Sequence, residues 1–176
     1  MAQQHLGPLE LVGDRWVIGD PKRKDGSCLV LTAAGIEHHM RGVPEPQAVV
    51  PWARFTRVGV AATPSAWEAT RAWGFAGAFG PSHIRVGRGG CSVSGLLRHP
   101  SEYWSVNYTH HKHRYTGAHA FLVRALFREV SDAKALHRLG DPDWLGAAVA
   151  RLAPLPARWA PSTRRQVREI IEDLCP

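Results

Sequence analysis

Cysteine, methionine and lysine are scarce in this chain of 176 residues, which carries three cysteines, two methionines and four lysines. The cysteine scarcity removes a class of protein. Cys28, Cys91 and Cys175 lie far apart and form no Cys-x-x-Cys pair, which excludes a disulfide framework or a zinc ribbon and suits buried or terminal thiols. Apolar runs are short. None approaches the roughly 18 to 20 residues a membrane-crossing helix needs, and Met1-Ala2-Gln3-Gln4-His5 has no basic segment leading into an apolar one. The expectation is a cytoplasmic protein.

Acidic residues are also in deficit, with 15 Asp and Glu against 22 Lys and Arg and a net charge of +7. That excess invites a nucleic-acid partner, because clustered cations displace counterions from a phosphate backbone. Composition alone does not require one, since arginine with abundant alanine, glycine and proline is also what GC-rich coding yields. Zinc-finger spacing, RNA-recognition aromatics and a basic region followed by heptads are all missing. So are the Gly-x-Ser-x-Gly elbow, the Walker loop, the dinucleotide-binding turn and the His-Glu-x-x-His helix. Ser92 and Ser94 have histidines elsewhere in the chain but no placed acid. The expectation is a protein without a cofactor that catalyses nothing.

What is present is enough chain for one domain with a core, at 44% hydrophobic and 21% charged residues, able to remove roughly 70% of its unfolded surface from water. Leu9 to Ile18 carries an interrupted apolar pattern around Gly13-Asp14, read as one or two short strands. The polar loop from Asp20 to Gly26 leads into the apolar, β-branched run Ser27 to Thr32, and Ala33-Ala34-Gly35 turns the chain into Ile36 to Met40. Val49-Val50-Pro51-Trp52 follows. Proline removes a ladder donor and fixes φ, so the strand must end or kink at Pro51. Trp52, Phe55 and Val58 recur at i, i+3 and i+6, the spacing of a helical or 3₁₀ turn that lays aromatics on a sheet as core anchors.

The order Leu-Thr-x-x-Gly-Ile followed by Val-Pro-Trp-x-x-Phe-x-x-Val resembles the opening strands of bacterial pleckstrin-homology-like domains over about residues 27–59. The resemblance implies a bent antiparallel sheet or small barrel closed by a helix, and a binding or adaptor role. It also implies a place for anionic headgroups, the loop Lys22-Arg23-Lys24 between the first two strands of the family pattern. Here the strand that follows runs Ser27-Cys28-Leu29-Val30, without the basic residue of the lipid-binding members, which weighs against an anionic lipid.

Further strands are read at His83 to Val86, Cys91 to Ser94 and Tyr103 to Tyr108, the last continuing through Tyr115, which makes about seven in all. A change of period then marks a helix over Phe121, Leu122, Ala125, Leu126, Val130, Ala133 and Leu136, with Thr116 as its cap and Gly140 as its end. Asp141-Pro142 starts a second helix, and Thr163 with Gln166 has capping-box spacing for a third. The fold class is therefore α+β, with residues 1–140 a pleckstrin-homology-like β domain and its capping helix, and 141–176 a helical extension packed on it. Too many proline-broken residues separate the last two helices for a helix-turn-helix.

Four residue sets are candidate sites. Trp67, Trp73, Phe75 and Phe79 form an aromatic, glycine-rich connection suited to a protein partner or a second copy of the chain. Arg85, Arg88, Lys112 and Arg114 flank one strand edge as a nucleic-acid surface, and Lys22, Arg23 and Lys24 offer phosphate-directed hydrogen bonds. His111 and His113 alternate onto one strand face as a metal pair that needs further ligands, for which His38, His39, His99 and His119 are available.

Overall fold

The computed structural model describes residues 5–22, 26–63, 91–98, 100–110, 115–156 and 161–175. Six strands make an antiparallel meander: β1 (His5–Leu6), β2 (Leu9–Val12), β3 (Arg15–Ile18), β4 (Ser27–Leu31), β5 (Gly35–Met40) and β6 (Ala48–Pro51), in that spatial order. A 3₁₀ turn at Trp52–Arg54 leads into a second, three-stranded sheet of β7 (Phe55–Ala61), β8 (Ser92–Leu97) and β9 (Glu102–Asn107). Helix α1 (Gly117–Asp132), a 3₁₀ turn at Leu136–Gly140, α2 (Pro142–Leu152) and α3 (Pro161–Leu174) complete the chain.

The class is α+β, with the helical part packed on antiparallel sheets. The expected barrel is corrected: the described strands form two sheets and no closed barrel. The sheets meet at a seam instead. The Thr109 N–H donates to the Ser27 carbonyl at 2.8 Å and the Asp20 N–H to the Thr109 carbonyl at 2.9 Å. The Ser27 hydroxyl donates to the Asn107 carbonyl at 2.9 Å, so the His38 Nε2–H, 2.7 Å away, donates to that hydroxyl.

Register follows burial, because opposite residues of a pair share a face. Trp16 faces Leu31, Ile18 faces Leu29 and Ile36 faces Val50, which puts all six on the inner face. The second sheet presents Phe55, Val58, Val60, Val93 and Leu97 to the same core. Helix α1 lies against β7 and α3. Thr116 caps it as expected, its side chain accepting from the His119 N–H at 3.2 Å. Ser131 on its last turn accepts the Val58 N–H at 3.2 Å, tying helix to strand.

Helices α2 and α3 belong to the same core, which includes Trp144, Leu145, Val149, Val167 and Ile171. Indole donors pin them. Trp16 Nε1 donates to the Pro142 carbonyl at 3.1 Å, and Trp144 Nε1 to the Leu174 carbonyl at 2.9 Å. Asp141 caps α2 with Pro142 in its first turn, as read. The third helix differs, for it begins at Pro161 and Thr163 lies inside it, buried, rather than capping it. Arg168 of this helix reaches across to Glu129 of α1 at 3.0 Å.

Three more readings are corrected. The expected strand through Tyr115 stops at Asn107, and Tyr108 to His110 continue without strand pairing. Trp52 lies in the 3₁₀ turn, but Phe55 and Val58 already belong to β7. The long helix ends at Asp132, well before Gly140, because the chain turns left-handed at Lys134, φ +57°.

Candidate functional site

The left-handed turn after α1 and the kink at Pro51 together build a groove. Pro51, at φ −62°, ends β6 and starts the Trp52–Arg54 turn with Trp52 buried. The indole Nε1–H of Trp52 donates to the Thr32 carbonyl at 2.8 Å, so the ring is fixed across the β4–β5 turn. Phe55 packs against it with ring centroids 6.3 Å apart, and meets Trp104 edge-on at 5.4 Å. Two glycines permit this packing. A Cβ at Gly95 would lie 2.7 Å from the Phe55 ring, and one at Gly140 would lie 2.6 Å from Trp52 Nε1 and closer still to the Thr32 carbonyl.

Over this floor the chain brings cations. The α1 terminus closes with the Ala135 N–H on the Val130 carbonyl and the Lys134 N–H on the Ser131 carbonyl, both at 3.0 Å. That is the Schellman arrangement, whose left-handed residue is usually glycine. Here it is Lys134. Leu136 and His137 follow on the second 3₁₀ turn, and Arg98 at the end of β8 donates from Nη2 to the Phe55 carbonyl at 3.2 Å. The groove encloses about 530 Å³ between Trp52, Ala53, Phe55, Thr56, Arg98, Lys134, Leu136 and His137, none of them acidic. Among the described residues neither the Lys134 ammonium nor the His137 imidazole has a hydrogen bond or ion pair. The arrangement is an apolar, aromatic floor with a cationic rim.

A second cluster gathers Cys91, Tyr108, His110 and Tyr115, all buried. Tyr108 donates to the Ala61 carbonyl at 2.7 Å, and His110 stacks on Tyr115 at 5.3 Å while its Nε2 meets the Thr63 carbonyl at 2.9 Å. Burial pushes the Cys91 thiol up to about 11, against the smaller opposing pull of hydrogen bonds and Arg124. Burial raises the Tyr108 and Tyr115 hydroxyls too. At neutral pH the thiol is protonated and is not a nucleophile.

Of the residues singled out in the sequence, Lys22 is described: it is exposed, its N–H donates to Asp20 Oδ1 at 2.9 Å, and its carbonyl accepts from Arg41. Arg23 and Lys24, the aromatic set Trp67, Trp73, Phe75 and Phe79, the basic set Arg85, Arg88, Lys112 and Arg114, and the pair His111 and His113 lie outside the described residues. Of the other histidines named as ligands, His99 also lies outside the described residues, and the remaining three have separate partners: His38 holds Ser27, His39 pairs with Glu37 at 2.8 Å, and His119 meets His5 edge-on. Among the described residues no group of three or more side chains is placed to hold a metal, and no helix is long and apolar enough to cross a membrane.

The groove residues Arg98, Lys134 and His137 were not anticipated as a site. The sequence carried no signal for them, since the apolar period runs on through Ala133 and Leu136 and no glycine marks the left-handed turn at Lys134. Compared with family models, curated proteins and solved structures, this chain matches none. The groove therefore rests on its own geometry.

Proposed function

We propose that this protein is a non-enzymatic binding module that holds an acidic, partly apolar segment of a partner protein in the groove between Trp52 and His137. The observation that carries the proposal is Lys134. A residue with a Cβ in the left-handed region costs about 1 kcal/mol that glycine would avoid, and such backbone outliers concentrate where a side chain is needed. The lysine side chain stands at the rim of an apolar groove with Arg98 and His137 beside it. Carboxylates would meet these cations while an aliphatic or aromatic side chain covered Trp52, Phe55 and Leu136. The reading takes the module as pleckstrin-homology-like, on the sequence resemblance over about residues 27–59, elaborated by α2 and α3.

The test uses a fluorescein-labelled peptide alternating glutamate and leucine, the same peptide with lysine for glutamate, and duplex DNA of similar charge. Polarisation should show saturable binding of the acidic peptide, lost in Lys134→Gln combined with Arg98→Gln. If the acidic and basic peptides bind alike, or duplex DNA binds through residues that this double variant leaves untouched, the groove is not the recognition surface.

A further inference from the structure

We propose a second, separate site: a phosphate-binding cleft between α1 and α3, lined by Arg124, Arg128 and Arg164 around Phe121 and Ala125. The cleft encloses about 120 Å³, room for about four waters at liquid volume and so for one oxyanion with part of its shell. It shares no residue with the Trp52–His137 groove.

The distribution of acids singles out this cleft. Two carboxylates lie near it, and each is already held by an arginine outside it. Glu129, which also lines the cleft, is 5% exposed and accepts from Arg168 Nε at 3.0 Å. Asp132 accepts from Arg57 at 2.8 Å and makes a longer ion pair with Arg128 at 3.7 Å, which leaves the Arg128 Nη donors over. Arg124 spends one Nη on the Ala62 carbonyl, and Arg164 has no hydrogen bond or ion pair among the described residues. The cleft thus keeps three guanidinium groups with donors to spare and no free carboxylate to match them. Arg164 also sits in the first turn of α3, where the helix dipole disfavours a cation and an added anion relieves that cost. Forked guanidinium donors from two helices suit the tetrahedral oxygens of a phosphate better than a planar carboxylate, and Arg meets such groups with paired hydrogen bonds.

The chemistry is shared by free phosphate and by a phosphate monoester, and the experiment separates them. Titration calorimetry of the full chain would use inorganic phosphate, O-phosphoserine and, for comparison, acetate. Arg128→Gln and Arg164→Gln, both at exposed positions, should each weaken phosphate by about fivefold. Arg165→Gln removes the same charge one residue away, outside the cleft lining, and should leave affinity within about twofold. Unchanged melting temperatures would show that the variants fold. Equal binding of phosphate and O-phosphoserine makes the monoester an occupant; binding of phosphate alone restricts the cleft to the free anion. The proposal is overturned if neither phosphate species binds, if acetate binds as tightly, or if Arg165→Gln weakens binding as much as the cleft variants.

Discussion

Replacing Lys134 with glycine should make the protein more stable and a poorer binder, two effects of opposite sign that a merely structural lysine would not produce together. Lys134 holds φ +57° at the end of α1, its N–H on the Ser131 carbonyl. Releasing the Cβ from the left-handed region gains about 1 to 2 kcal/mol, and the extra freedom of glycine in the unfolded chain takes back about 0.5 to 1. The net is about 0.5 kcal/mol of added stability, or roughly 1 to 2 °C in melting temperature for a chain of this size. The exposed ammonium contributes little to folding, because among the described residues it has no ion-pair partner. Its loss from the groove should weaken an acidic peptide by about two- to fivefold, the range for one solvent-exposed charge pair. Lys134→Gln separates the two terms, since glutamine keeps the strained Cβ and removes the charge: binding should fall as in the glycine variant while the melting temperature stays put. Differential scanning calorimetry and peptide polarisation measure both. A glycine variant that melts lower, or one that binds the acidic peptide as well as the parent does, refutes the reasoning that the turn keeps lysine for the sake of the groove.

The remaining predictions concern packing, protonation and reactivity. Gly140→Ala should destabilise by about 2 to 4 kcal/mol, the overpacking cost plus the strained Trp52–Thr32 hydrogen bond, because its methyl would lie 2.6 Å from Trp52 Nε1; urea denaturation reads this as a lower midpoint at unchanged slope, and a midpoint equal to the parent's would show that the turn is free to move. Burial, with His39 next in effect, lowers the pKa of His38 below its usual 6.5, so the unfolded chain binds the proton more readily. The stability this contributes is full above pH 6.5 and is lost as pH falls through the folded value; His38→Gln should flatten that part of the pH–stability curve, and an unaltered curve would remove His38 from it. With Cys91 at about 11 and Cys28 also raised by burial, about one Cys91 thiol in a thousand is ionised at pH 8. Cys175, half-buried at the end of α3, should therefore react with a disulfide reagent well before the other two, which should follow only on unfolding; three equally fast thiols would contradict the burial.

Local chemistry was legible in the sequence wherever one residue dictated the backbone. Pro51 ended a strand, Thr116 and Asp141 capped helices, and Gly13, at φ +66°, turned β2 into β3. The paired extended runs around Ala33-Ala34-Gly35 became β4 and β5. What period and propensity could not reach was the relation between distant elements. How the two sheets meet depends on Ser27 reaching Asn107 and Thr109, contacts set by the whole chain. The end of α1 was misread because Ala133 and Leu136 keep the helical period through the turn, although Leu136 already belongs to the next 3₁₀ segment. Thr163 was read as a cap because its spacing to Gln166 is right, yet Pro161 starts the helix earlier and Thr163 is drawn into the core with Val167. The site was less legible than the fold, since Arg98 comes from a strand end far in sequence from Lys134 and His137, and no spacing relates it to them.

Net charge acquires meaning only after the pairings are known. Among the described residues Arg54, Arg57, Arg151 and Arg168 each meet a carboxylate within 3.2 Å, and exposed pairs of this kind leave little field behind. Lys22, Arg138 and Arg165 have no such partner, but they line neither cavity and water screens them. Arg98 and Lys134 in the groove, and Arg124 and Arg164 in the cleft, combine the absence of an ion-pair partner among the described residues with a place on a concave, partly apolar surface, where one ligand can meet several cations at once. The two places share no residue, so their contributions should be independent. A protein lacking both Lys134 and Arg164 charges should lose acidic-peptide affinity by the Lys134 factor alone and phosphate affinity by the Arg164 factor alone. Cross-loss, in which Arg164→Gln weakens the peptide as much as it weakens phosphate, would mean that both ligands sense one diffuse positive field and that neither cavity discriminates.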